Sequence, residues 1–133
     1  MLDTRSFRDK ENIPIDAVNK TMLGAKQKQV LKDWLVAKNE STFKFIASSV
    51  PWNEDLFGID NGDNWGGGYP VERNEIFDFI SENNIHGCAF LSADAHLAWA
   101  VELGRPNFLE FSSSPLGAFD DVKGFLFPNA WNS

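Results

Sequence analysis

Two short runs rich in β-forming residues, Thr42 to Ser48 and Cys88 to Ser92, bracket a stretch of helical period, and this ordering limits the fold more than any other feature. The intervening helix is expected over 70–83, where Pro70 takes a favoured first-turn position and Arg73, Ile76, Phe77 and Ile80 fall on one face. Glu72 and Glu75 sit near the positive end of that helix. A second helix is expected over 25–38, with Val30, Leu31, Trp34 and Leu35 at helical spacing and Gln27 on the same face. Further strands are expected near 97–103 and 107–112, and Met1 to Asp3 reads as the end of a strand. Strands alternating with helices predict an α/β layer architecture. The tail from Pro115 to Ser133 carries Gly, Pro and aromatics without a clear period.

Composition narrows the function classes. The 133 residues suffice for one domain with one core, so 1–133 is read as a single domain. A net charge of −7 argues against a nucleic-acid surface and repels a phosphate substrate unless bound cations reverse the local sign. No stretch approaches the length of a membrane span, and Met1 to Arg5 shows no apolar signal core. The single cysteine, Cys88, excludes an internal disulfide framework and, in its apolar run, reads as a small core residue.

The chemistry-bearing run is Leu91-Ser92-Ala93-Asp94-Ala95-His96. Along extended backbone, residues two apart point to one side, so Asp94 and His96 converge. A carboxylate and an imidazole aimed at one point suit a metal ion. The loop over 50–69, with Trp52 and the run Trp65-Gly66-Gly67-Gly68-Tyr69, is long for a compact domain, and long loops often carry function. Both segments follow expected strands, and ligands gather beyond strand ends in such sheets. An alternative of another class is a small binding module that uses Trp52, Trp65 and Tyr69 as a stacking platform for sugars.

Six segments, in order, resemble the C-terminal part of the PhoD-like alkaline phosphatase and phosphodiesterase family, within the metallophosphoesterases. They are Leu2-Asp3-Thr4-Arg5; Leu23-Gly24-Ala25-Lys26-Gln27 with Trp34-Leu35; Phe43 to Trp52; Trp65-Gly66 through Tyr69-Pro70 with Arg73; Leu91 to His96 with Trp99; and Glu110 to Pro115. The resemblance implies the C-terminal half of an α/β/β/α sandwich, with a mixed sheet and two main helices. It implies a metal-dependent phosphoester hydrolase, with iron and calcium as the family's metals and a secreted or periplasmic setting. It assigns Asp94 and His96 as metal ligands, and places Trp65, Tyr69 and Arg73 as candidate substrate contacts. Catalytic residues are not assigned.

Two departures from the family pattern bear on activity. The family's glycine before the aspartate is Ala93 here, which predicts a tightened or shifted turn. The family's first metal ligands and its phosphate contacts precede the Leu-Asp-x-Arg segment, at which this chain begins. The expectation is therefore a truncated domain, its N-terminal half absent, holding part of a two-metal site and weak or inactive alone. The alternative within that expectation is a non-catalytic remnant. A sheet lacking neighbours would expose an edge or an apolar face and favour a homo-oligomer.

Overall fold

The computed structural model describes residues 1–10, 12–54, 62–95 and 98–113. Its elements run α1 (Gly24–Ala37), β1 (Lys44–Ala47), α2 (Trp65–Gly68), α3 (Pro70–Glu82), β2 (Cys88–Ser92), β3 (Trp99–Glu102) and β4 (Leu109–Ser112). The strands form one sheet in the order β1-β2-β4-β3. β1 and β4 each run parallel to β2, and β3 pairs antiparallel to β4. This is a four-stranded mixed α/β sheet with two main helices, the architecture that the resemblance implies. The expected strand tail over 1–3 is instead irregular, although Leu2 N donates to Ala47 O at 2.8 Å beside β1.

Register separates the two faces of the sheet. On one, Ile46, Phe90, Glu110 and Val101 lie in a row across the four strands, with Ser92, Ser112 and Trp99 in the next row. This face meets Ile76, Phe77 and Ile80 of α3 in a core that also takes Leu31 and Leu35 of α1. Aromatic rings fill its centre. Trp52 stacks on Trp65 with centroids 4.2 Å apart, and Phe77 meets Phe90 edge-on at 5.3 Å and Phe108 at 5.1 Å. Such offset and edge-on contacts add to what ring burial contributes.

Among the described residues, nothing covers the opposite face. Phe45, Ala89 and Leu109 form one row, and Ala47, Leu91, Phe111 and Ala100 the next. Phe43 and Phe45 are 70% and 61% exposed, and Leu109 and Phe111 nearly half. Four residues expected on the apolar face of α1 divide accordingly. Leu31 and Leu35 are buried, but Val30 and Trp34 are exposed and line a groove with Met1, Leu2 and Phe45 at the β1 edge. The helix stripe is thus wider than the core it meets, because nothing in the described structure lies beyond β1.

The glycine-rich run, expected as loop, makes the single helical turn α2. Asn64 caps it, its side chain accepting from Gly67 N at 2.6 Å. A side chain here would collide with the preceding loop. A Cβ on Gly66 would lie 2.3 Å from Glu54 Cα, and one on Gly68 would lie 2.2 Å from Gly62 O. Trp65 and Tyr69, at either end of the run, point into the core.

Candidate functional site

The site is built at the end of β2. After Ser92 the chain turns through Ala93 to Asp94, whose φ of +74° lies in the left-handed region. The strained position is therefore Asp94 itself, so alanine at 93 needs no positive φ. Aspartate is among the few side chains that enter this region readily. The turn presents the Asp94 carboxylate to solvent, with its side chain 51% exposed. His96 and Leu97 lie outside the described residues, so the expected Asp94–His96 pair is described at Asp94 alone.

The N-terminal segment comes to the same place. Arg5 Nη2 donates to Asp94 Oδ2 at 3.3 Å, and Arg5 Nη1 donates to Asp63 Oδ1 at 2.7 Å. Arg8 also pairs with Asp63. Sequence spacing gave no reason to join Asp63 to Asp94; the guanidinium of Arg5 joins them. Asp3 holds the backbone of Arg5 rather than its side chain, since Asp3 Oδ1 accepts from Arg5 N at 3.0 Å and Ser6 N at 2.9 Å. Hydrogen bonds from the Ser6 side chain and backbone, then from Arg5 N, hold the Asp3 carboxyl below its usual range. Gln27 locks Asp3 in turn, with Nε2 donating to Asp3 O and Oε1 accepting from Asp3 N, both at 2.8 Å. Thr4 and Ser49 share a hydroxyl hydrogen bond of 2.5 Å.

The three expected substrate contacts are enclosed. Trp65 is fully buried and donates Nε1 to Ser48 Oγ at 3.0 Å, and Tyr69 donates its hydroxyl to Asp9 O at 2.6 Å. Arg73 is buried over the Phe77 ring and pairs with Glu54 at 2.9 Å. Burial lowers the Arg73 pKa, and Glu54 works against that shift. Trp52, also fully buried, completes the enclosure, so Trp52, Trp65 and Tyr69 form no open stacking platform. Cys88 is buried as expected, and burial pushes its thiol pKa up, keeping it protonated.

Two interior carboxylates escaped the sequence reading. Glu110, fully buried, accepts from Trp52 N at 2.7 Å, Asn53 N at 3.2 Å and Trp99 Nε1 at 3.1 Å. Glu72 accepts from the Thr21 hydroxyl at 2.5 Å and from Met22 N and Leu23 N at 2.6 and 3.3 Å. It holds the residues just before α1, while Thr21 Oγ1 accepts from Gly24 N at 2.8 Å at the helix start itself. The available signal was a charged residue inside an otherwise apolar pattern, at 110 in a strand and at 72 in a helix.

Among the described residues, no group of three or more His, Cys, Asp or Glu side chains is gathered to hold a metal. Asp63 and Asp94 are nonetheless two carboxylates gathered around one cationic group, Arg5. Hard oxygen donors of this kind fit a calcium-type or ferric ion in chemistry, and supply part of its ligand number. The hydroxyls of Ser92 and Ser112, paired across β2 and β4, are buried without hydrogen-bond partners among the described residues.

Comparison with known proteins gives the site its context. No solved structure matches the chain. Alkaline phosphatase D of Bacillus subtilis is 30% identical over 132 residues, covering 89% of this chain and 22% of that protein. The chain therefore spans about a fifth of the length of the curated relative it matches. The family description "PhoD-like phosphatase" matches residues 1–129. With nearly the whole chain matched, it belongs to the PhoD-like phosphatase family.

Proposed function

We propose that this chain carries a cation-binding strand end of a phosphoester-hydrolase site of alkaline phosphatase and phosphodiesterase type. The observation that supports this most is Asp94, turned outward at the end of β2 by a left-handed backbone and paired with a guanidinium held from a separate segment. Asp94 would hold the cation, with His96 as the second ligand inferred from the family motif and Asp63 close by through Arg5. Bound there, a divalent or trivalent ion such as calcium or iron supplies a Lewis acid that offsets charge on a phosphoryl group. The chain's own contribution is positional. Gln27 and Asp3 fix the backbone that carries Arg5, and the buried Trp65, Tyr69 and Arg73 hold the loop and helix beneath the rim.

The substrate class on this reading is a phosphoester, and the setting is the extracytoplasmic one usual for the family. The isolated 133 residues are expected to turn over p-nitrophenyl phosphate and its diester weakly or not at all. A loosely held cation neither acidifies water reliably nor fixes a phosphoryl group. Self-association is also expected. Among the described residues, the groove along the sheet face away from α3, lined by Phe43, Phe45, Leu109 and Phe111, has no Asp, Glu, Lys or Arg in its lining, and Glu102 lies beside it, paired with Leu109. Light scattering should show a dimer or larger species, and Phe45→Glu with Phe111→Glu should return it to monomer.

The deciding experiment is Mn²⁺ and Ca²⁺ uptake by the purified chain and by Asp94→Asn/His96→Ala. Asparagine is chosen at 94 because it tolerates the left-handed backbone. Uptake lost with the fold intact supports the reading, and uptake that survives both changes refutes it.

A further inference from the structure

Arg5 combines a rigid backbone with a side chain that the core does not need. Its main chain is pinned through Asp3, and Asp3 is pinned through both polar atoms of the Gln27 amide. The adjoining residues are tied to β1 and its exit by Leu2 N to Ala47 O and by Thr4 to Ser49. The guanidinium, by contrast, is 48% exposed. Its two ends differ. Nη1 makes a short contact of 2.7 Å to Asp63, whereas Nη2 makes a long one of 3.3 Å to Asp94. Exposed ion pairs of the latter kind are weak and easily exchanged.

We propose that Arg5 is an exchangeable residue of this rim: it competes with a divalent cation for Asp94, and the guanidinium edge which that competition frees donates to a phosphoryl oxygen. The inference rests on the reading of Asp94 as a cation ligand. Arg5 keeps its anchor on Asp63 throughout, so the freed edge stays beside Asp94 rather than swinging into solvent. A planar guanidinium presents parallel N–H groups matched to phosphoryl oxygens, which a lysine ammonium does not. Cation and phosphoryl anion therefore bind with mutual assistance. By linkage, each strengthens the other by the same factor.

The test is a Mn²⁺ titration followed by the free-ion electron paramagnetic resonance signal, with and without inorganic phosphate. The proteins are the natural chain, Arg5→Gln, Arg5→Lys and Asp94→Asn. Arg5→Gln should bind Mn²⁺ about two- to fivefold more tightly, the factor that release from one exposed ion pair supplies. Phosphate should tighten Mn²⁺ binding most in the natural chain, much less in Arg5→Lys, and least in Arg5→Gln, where only direct contact between phosphate and cation remains. Equal or weaker Mn²⁺ binding by a folded Arg5→Gln overturns the proposal, as does an undiminished phosphate effect in it. If Arg5→Gln does not fold, an undiminished phosphate effect in Arg5→Lys overturns it instead. Failure of the underlying reading looks different, since Asp94→Asn would then bind Mn²⁺ as the natural chain does.

Discussion

Four carboxylates of this protein fall into two regions that behave in opposite ways. Glu110 and Glu72 lie inside, and their oxygens accept hydrogen bonds from donors on separate segments, three each. Asp63 and Asp94 lie at the rim, half-buried and exposed respectively, and meet through the guanidinium of Arg5. The interior pair cannot be altered without stranding backbone N–H groups, and leaving a buried donor unmade costs far more than a made hydrogen bond contributes. The rim pair can exchange its partner at little cost, which is what a binding site requires. A carboxylate's partners, more than its burial alone, separate a fold-holding role from a chemical one.

Glu110→Ala tests this contrast most severely. It strands Trp52 N, Asn53 N and Trp99 Nε1, at roughly 1–3 kcal/mol for each buried donor left unmade. A loss of about 4 kcal/mol or more is expected in urea unfolding, a large share of a typical domain's stability. Glu110→Gln keeps one acceptor oxygen and should lose clearly less. If Glu110→Ala unfolds at the same urea concentration as the natural chain, the interior role is wrong.

Glu72→Ala comes next. Its donors, the Thr21 hydroxyl, Met22 N and Leu23 N, lie just before α1, where Thr21 Oγ1 still accepts from Gly24 N. A loss of about 2 kcal/mol is expected, in line with removal of a strong helix cap. Hydrogen exchange should locate the effect in the first turn of α1, at residues 24–27.

Asp94→Asn inverts the pattern. Its stability should change by no more than about 0.5 kcal/mol, because the side chain is exposed and asparagine accepts the same backbone. Its Mn²⁺ affinity should fall at least about tenfold, the consequence of losing a charged ligand. A large stability loss with unchanged affinity would erase the distinction between rim and interior.

The sequence showed some of this and hid the rest for physical reasons. Helical period and β-forming runs located α1, α3, β1 and β2 within a residue or two, because those patterns report burial along a single element. Val30 and Trp34 misled for the same reason. Period identifies an apolar stripe, but the stripe here extends past the edge of the sheet. The sequence placed the Trp65–Tyr69 run in a loop, and only the close approach of Asn53 and Glu54 to Gly66 and of Gly62 to Gly68 shows why its ends are buried. Asp94 was legible from its motif. Its link to Asp63 was not, since it passes through Arg5 across 58 and 89 positions of sequence. Glu72 and Glu110 were hidden because two of the three donors named for each are backbone groups, which nearly every residue carries.

The smallest expected effect concerns Glu75, a third kind of carboxylate that is neither stranded inside nor poised at the rim. It bridges α3 to α1 by accepting from Lys28 and Lys32 at 2.6 and 2.7 Å. Partial burial would raise its pKa, but hydrogen bonds from the two lysines outweigh this and bring it below the usual value. Lys28 shifts the other way: burial would lower its pKa, but the hydrogen bond it donates to Glu75 and the charges of Glu72 and Glu75 outweigh this and raise it. A carboxyl depressed on folding adds stability that is complete above its unfolded pKa and is lost as pH falls through its folded one. A raised lysine adds stability that is complete below its unfolded pKa and is lost as pH rises through its folded one. Stability should therefore decline on the acid side below the model-compound value of 4.5 for Glu75, and on the alkaline side above the 10.5 for Lys28. Glu75→Gln should flatten both limbs. With its side chain 41% exposed, solvent screening holds the loss at neutral pH to about 0.5 kcal/mol, and added salt should shrink it further. A loss at neutral pH as large as that of Glu72→Ala would show that Glu75 belongs with the interior carboxylates after all.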